Sequence, residues 1–438
     1  MTDWSDSTDE TRRSYLKALG AAGLLGAGGL AGCSSDGGSG GDGGSGDGGS
    51  GDGGSGGDGG SGGDGGSSDG GSSDGGSGAG NLIGIPMKSL SAFFFRTAAR
   101  GAQYEAEQLG YESQLIGAEM DSEQLNRQIS SLATREETAA IITDPVDSEA
   151  QQSPISNAMD DGIPVGVVDT PASREATVTV AFDNYLAGEN LADRCAQELK
   201  DKYGSLEGTK VVYFHGFLGS FAWNQRMKGT RDRMEEIASN SGLEFHNVEG
   251  GGSPEEFSTS ATEWLSQNQD VDAVLNASSG GFLAGVVQTL DRQDQLYYRG
   301  NEEHIFVGAV DGYLSDVKWM NEGYIDFISM QNPVAYGQIC VDLLDEYAIG
   351  QGARDVIPVG ETATDVIKPE RFYYGAELGK EPEIEQTDYG PRYTVPTYIM
   401  GPENVDNDMH WPKLAESRLG MESETADLDL SPQGDPPS

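Results

Sequence analysis

From residue 82 onward, short apolar runs return at intervals, each followed by a turn and then by a stretch with helical periodicity. The runs lie at 82–86 (LIGIP), 139–143 (AAIIT), 163–168 (IPVGVV), 178–182 (VTVAF), 210–214 (KVVYF), 272–276 (DAVLN), 305–310 (IFVGAV) and 325–330 (IDFISM). Such runs read as buried strands. Between the first two, Phe95, Ala98, Ala99, Ala102, Ala106 and Leu109 share one helical face. Strands separated by helices imply parallel α/β sheets with right-handed crossovers. The number of units predicts two similar Rossmann-like lobes, each with its own sheet, joined by a hinge.

Open α/β sheets bind ligands beyond the carboxyl ends of their strands, so the residues that follow each run are the candidates for a site. The first run leads to Phe93, Phe94 and Phe95, the second to Asp144-Pro145 and the third to Asp169. In the second half, His215-Gly216, Ala277-Ser278-Ser279, Asp311-Gly312 and Gln331-Asn332 occupy the same station. Carboxylates, amides and aromatic rings thus converge at one level of the fold. Asp147 and Ser148 are expected to cap the following helix. Trp223 and His215 fit the second-lobe core as well as the cleft.

Nothing before residue 81 can join this core. Thr11-Arg12-Arg13-Ser14-Tyr15-Leu16-Lys17 resembles a twin-arginine export motif, and the apolar stretch at 18–31 is too short to anchor a chain across a bilayer. Leu30-Ala31-Gly32-Cys33 resembles a lipobox, in which Cys33 carries the lipid. Residues 34–80 are almost only Gly, Ser and Asp and are expected to stay disordered as a linker with a reach of roughly 40 Å. The expected organisation is a signal at 1–33, a linker at 34–80, lobe 1 from 81–184 plus about 331–360, lobe 2 from 185–330 plus about 361–410, and a tail at 411–438.

Charge and cysteine usage remove other classes. With 72 acidic residues against 27 basic ones and a formal net charge of -45, the chain repels nucleic acid and anionic lipid headgroups. Membrane contact is expected through the lipid anchor only. The acid excess fits a protein working at high salt, as in a salt-loving archaeon, where the Debye length shrinks to roughly 3 Å at 1 M. Cys33, Cys195 and Cys340 make no disulfide framework, and the four scattered histidines have no metal-ligand spacing. No cofactor and no metal are expected.

From 82 to about 350 these residues resemble the ribose-binding family of solute receptors for ABC importers, the type 1 periplasmic-binding-protein fold. The resemblance rests on the aromatic turn at Phe94 and Phe95, on IITDPVDSEA, on GIPVGVVDT and on the AVDG and SMQNP segments. It implies a ligand site built from Phe94, Phe95, Asp144, Asp169, Asn224, Ser279, Asp311 and Gln331, with Phe93 left to packing. The chemistry suits a sugar, whose apolar C–H faces want flat rings and whose hydroxyls want forked acceptors. Burying roughly 50 Å² of ring face stabilises by about 1.3 kcal/mol, and a hydroxyl bonded to a carboxylate contributes roughly 1.5–3 kcal/mol.

The chain departs from the family pattern at Thr170 and Asn224, where arginines are usual, with Arg226 retained nearby. Ala92 and Ser279 replace asparagines. Shorter side chains enlarge the site, so the expected ligand is a sugar or related polyol rather than ribose in particular. The resemblance implies a monomeric receptor on the extracellular face of the cytoplasmic membrane, delivering its ligand to ABC permease and ATPase subunits. It implies no enzyme. A sensor handing the closed form to a membrane receptor is the alternative, and a secreted glycosidase is disfavoured because Asp169 and Asp311 fall on opposite lobes. The segment at 361–393 has no counterpart in the family pattern.

Overall fold

The apolar runs become two parallel sheets. The computed structural model describes residues 80–368, 371–372, 383–422 and 428–436; the export motif, Cys33 and the linker to residue 79 lie outside them. The first sheet is built on β1 (Leu82–Met87), flanked by β2 (Glu112–Gly117) and β3 (Thr138–Thr143), and continues through β4 (Val165–Val168) and β5 (Val178–Phe182). The second repeats the pattern with β6 (Lys210–Gly216) between β7 (Glu244–Gly251) and β8 (Ala273–Asn276), followed by β9 (Phe306–Asp311) and β10 (Phe327–Met330). Both orders, β2-β1-β3-β4-β5 and β7-β6-β8-β9-β10, describe one doubly wound unit used twice. Every residue of β1 and β3 is buried, as strands covered by helices on both faces require.

Helices cover these sheets: α1 (Phe93–Gln108), α2 (Ser122–Ala133) and α3 (Gln152–Asp160) in the first lobe, then α4 (Asn184–Tyr203), α5 (Phe221–Ser241), α6 (Pro254–Leu265), α7 (Gly281–Arg292) and α8 (Leu314–Glu322) in the second. The alanine face of α1 packs on α9 (Pro333–Tyr347), where the Cβ-less Gly337 lets the two backbones approach. Leu109, expected on that face, caps α1 at its C-terminus and is exposed. Trp223 belongs to the second-lobe core, edge-on to Phe257 at 6.1 Å and Phe282 at 5.3 Å.

The chain passes between the lobes at the expected turns. Asp183 ends β5 and caps α4, its side chain accepting from the Leu186 N–H at 2.9 Å. Gln331 and Asn332 lead from β10 back to α9, whose first turn Asn332 caps by accepting from Ala335 N–H at 3.2 Å. A third passage, through Pro396 and Thr397, is tied to the second by Thr397 Oγ1 donating to the Met330 carbonyl at 3.1 Å.

Two expectations for the last part of the chain are corrected. Residues 361–410 do not all return to the second lobe: β11 (Ile384–Thr387) and β12 (Gly390–Val395) form a hairpin, and β12 adds in parallel to β5, widening the first sheet to seven strands. Among the described residues of that span only β13 (Tyr398–Met400) joins the second sheet, antiparallel to β10. The 411–438 segment is no mere tail, since, following the short α10 (Thr364–Ile367), it contributes α11 (Trp411–Leu419), which packs on α1 and α9. The physical reason is the same in both cases: buried edges and helix faces of the first lobe are completed by late segments.

Candidate ligand cleft

The carboxyl ends of β1, β3 and β4 carry one wall. Lys88, the residue after β1, places Nζ 2.9 Å from Asp144 Oδ1, 3.0 Å from Asp169 Oδ2 and 2.8 Å from Thr170 Oγ1. It also stands 4.2 Å from the centroid of the Phe95 ring. The three ammonium protons are therefore engaged within the wall. Asp144 is fully buried, and its Oδ2 has no hydrogen-bond partner among the described residues. One ammonium cannot balance two acids, and burial outweighs the attraction of Lys88, so the Asp144 carboxyl is pushed up to about 8. Asp169 is more open: its Oδ2 accepts from Lys88 and Thr170, leaving Oδ1 turned from these partners.

The second wall is centred on Asp311. Arg226 Nη1 lies 2.8 Å from its Oδ1, Ser278 Oγ donates to Oδ2, and Gln331 Nε2 donates to Oδ1. Burial raises the Asp311 carboxyl above its ordinary value, with Arg226 and Ser278 opposing. Arg226 is held in turn by Asn184 Oδ1 at 2.8 Å and the Ala277 carbonyl at 2.9 Å. Gln331 Oε1 accepts from the Tyr336 hydroxyl at 2.9 Å. Tyr336, in α9 of the first lobe, has its phenol pushed well above the usual value by burial and then by the charges of Asp169 and Asp311, among others. Bonded to Gln331 and edge-on to Phe94, Tyr336 thus links the second wall to the aromatic residues of the first lobe.

Asp169 and Asp311 are also among the eight described non-glycine residues with positive φ. Asp169 has φ +60 and Asp311 φ +110, a region that side chains other than glycine seldom enter. Such conformations cost of order 1–3 kcal/mol and persist where surrounding contacts enforce them.

The aromatic wall is larger than expected. Phe93, Phe94 and Phe95 are all buried. Phe94 lies edge-on to Phe95 (5.4 Å, 85°), Tyr336 (6.1 Å, 78°) and Trp411 (6.2 Å, 85°). Phe93, expected to serve packing alone, meets Trp411 at 5.7 Å as well.

Of the remaining expected residues, Ser279 supports the second wall at one remove, whereas the hydrogen bond of Asn224 is local to its own turn. Ser279 is buried and its Oγ accepts from the Gly312 N–H at 3.0 Å, bracing the turn after Asp311. Asn224 donates to the Leu218 carbonyl at 3.2 Å, while Arg226, one turn-position inward, reaches Asp311. His215 is buried with Nδ1 2.9 Å from the Gly216 carbonyl. Asp147 accepts from the amides of Glu149 and Ala150 at 3.0 Å in the turn before α3, whose N-cap is Gln151, and Ser148 donates to the Pro171 carbonyl at 2.6 Å, so neither caps that helix as expected. Lys88, Tyr336 and Trp411 were not anticipated, although a lone lysine at a strand's carboxyl end was a signal for the first. Among the described residues, no group of three or more His, Cys, Asp or Glu is placed to hold a metal ion.

Two doubly wound lobes, three passages between them and an acid-bearing wall at the strand ends of each define the architecture of a two-lobed solute receptor. The chain belongs to the periplasmic binding protein family, whose domain model matches residues 83–352. It is 24% identical over 286 residues to the ribose import binding protein of Escherichia coli, covering 64% of this chain and 89% of that protein. Its fold is similar to that of a periplasmic ribose ABC transporter protein from Conexibacter woesei (TM-score 0.57, 19% identity, 76% of this chain and 95% of that one). A Bacillus halodurans ABC transporter solute-binding protein with bound myo-inositol is also similar (TM-score 0.54, 20% identity, 76% and 98%). These relatives are solute-binding proteins, not enzymes.

Proposed function

We propose that this chain is a lipid-anchored extracellular receptor that encloses a sugar or related polyol between its lobes and delivers it to an ABC importer. The observation that carries this reading is the pair Asp169 and Asp311, each at the carboxyl end of a strand in a different lobe and each in a positive-φ conformation. A neutral polyhydroxyl ligand supplies donors to both carboxylates and an apolar face to the phenylalanine wall. It is held best when the lobes are shut, so ligand and closure favour each other. The names of the relatives add support, since ribose and myo-inositol are polyhydroxyl compounds. Export by the twin-arginine motif, lipidation at Cys33 and a high-salt setting follow from the sequence features at residues 1–80 and the net charge of -45.

The test is a thermal-shift screen at high salt with D-ribose, D-arabinose, myo-inositol and glycerol, followed by calorimetry on any compound that raises the midpoint. Asp169→Ala and Asp311→Ala are each expected to weaken binding by roughly 1.5–3 kcal/mol, as for a hydrogen bond to a charged group. Unchanged affinity in both would remove the cleft from the binding reaction, and conversion of the bound compound to product would make the protein an enzyme. For the anchor, Cys33→Ser protein should leave the membrane fraction or stay unprocessed; lipid on that variant would refute Cys33 as the attachment point.

A further inference from the structure

After β13 the chain leaves the second lobe once more before Ser431 and Gln433 return to it at Asp291 and Leu296–Tyr298. After β13, residues 401–410 are fastened there by Asn404, which accepts from the Gly401 N–H at 2.9 Å and donates to the Ile399 carbonyl at 3.0 Å. His410 stacks on Tyr398 (5.8 Å, 15°), with Nε2 2.8 Å from the Asn404 carbonyl. The next residue begins α11, which lies on the first lobe. Arg418 fixes it there, donating to Gln338 Oε1 at 3.0 Å and to the Arg371 carbonyl at 2.7 Å. This is a fourth connection between the lobes, and Trp411 stands at its centre.

Trp411 is fully buried and touches both walls of the cleft. On the first-lobe side its ring meets Phe93 and Phe94, and on the second it meets Tyr313 (5.4 Å, 74°). Its Nε1–H donates to the main-chain carbonyl of Asp311 at 3.0 Å. That carbonyl belongs to the residue with φ +110, so the bond restrains the main chain that carries the carboxylate. A buried indole N–H needs such a partner, and a strained peptide needs such a restraint. Opening of the lobes has to break either the ring contacts or the hydrogen bond.

We propose that Trp411 is a positioning residue of the binding site: it pins the Asp311 peptide of the second lobe to the Phe93–Phe94 wall of the first. The segment beyond residue 400 thereby sets the affinity for the ligand. The affinity arm of this inference rests on the sugar or polyol reading above; the geometric arm does not.

Both arms are measured on the full chain with Trp411→Phe, which keeps a ring and loses the N–H, and Trp411→Ala, which loses both. Amide hydrogen exchange followed by mass spectrometry is compared without ligand, and calorimetry is run with D-ribose, D-arabinose and myo-inositol. Trp411→Phe should speed exchange in 309–316 while leaving the strands of both sheets as protected as in wild type. It should weaken binding roughly fivefold to tenfold, the fold-change of one lost neutral hydrogen bond. Trp411→Ala should speed exchange at 92–98 too and weaken binding further. Should Trp411→Ala fail to fold, Trp411→His, which retains a ring N–H, takes its place and should bind more tightly than Trp411→Phe. A lowered thermal midpoint with unchanged affinity and uniformly faster exchange would mean that Trp411 only packs, and tighter binding by Trp411→Ala would mean that it blocks the site. If none of the three compounds binds wild type, the ligand reading fails, and locally faster exchange at 309–316 still decides for the positioning role, its absence against.

Discussion

Asp144 should make the folded protein sensitive to alkali, and a single neutral replacement should remove that sensitivity. Its carboxyl is fully buried, shares one ammonium with Asp169, and is pushed from an ordinary 3.8 up to about 8. A carboxyl whose folded value is raised favours folding fully below its unfolded value, and that contribution is lost as pH rises through the folded value. The window therefore runs from about pH 4 to about pH 8. At about 1.36 kcal/mol per pH unit, a span of about four units corresponds to about 5 kcal/mol. In Asp144→Asn the amide oxygen can still accept from Lys88, Lys88 keeps Asp169 as its counter-ion, and nothing at this position titrates. The assay is urea unfolding at fixed high salt from pH 4.5 to pH 9, for wild type and Asp144→Asn. Other buried acids, such as Asp316 at about 7, are common to both proteins and cancel in the difference. The variant should gain on wild type by several kcal/mol as the pH is raised. A difference that stays flat across the range, or moves the other way, would refute the shared-ammonium account.

The rest of the structure supports three further expectations. Arg226→Met leaves the Asp311 carboxylate buried without its ion-pair partner, and loss of one member of a buried pair costs about 3–5 kcal/mol; a loss below 1 kcal/mol in urea unfolding at neutral pH would count against it. A Cβ at Gly337 would come within 2.2 Å of the Ala98 carbonyl, so Gly337→Ala should lower stability by about 1–3 kcal/mol and reduce the thermal midpoint. An unchanged midpoint would show that α1 and α9 can separate freely. Cys195 and Cys340 are free, fully buried thiols whose ionisation burial pushes up, as the sequence reading of unpaired cysteines expects. Both should resist thiol reagents until denaturant unfolds the chain, and prompt labelling of native protein would contradict their placement.

Legibility in the sequence followed burial. The central strands are enclosed on both faces, so their apolar runs read directly as β1, β3 to β6 and β8 to β10. β2 (ESQLIG) and β7 (EFHNVEGG) are sheet edges, partly exposed, and their mixed composition hid them. The β11–β12 hairpin was hidden for a related reason: IEQT has little apolar content, and Pro391 argues against a strand until the antiparallel edge pairing is seen. Asp169 and Asp311 could be found because each directly follows a legible strand. Lys88 could be seen but not interpreted, since its partners come from the ends of β3 and β4. Trp411 follows the last strand of the second sheet, and only tertiary contact brings it to Asp311.

The widening of the first sheet by β12 also bears on the order in which the molecule can assemble. Thr179 of β5 pairs with Arg392 of β12, and the whole second sheet except β13 lies between them in the chain. The β5 edge therefore stays open, with unpaired main-chain donors and acceptors, until nearly all of the sequence is available. An open parallel edge invites pairing with another chain, and contacts so distant in sequence form slowly. During synthesis the second lobe can complete most of its sheet first, while the earlier-made lobe waits for its last strand. Nascent or truncated chains ending before residue 384 are the species in which that edge is open to aggregation.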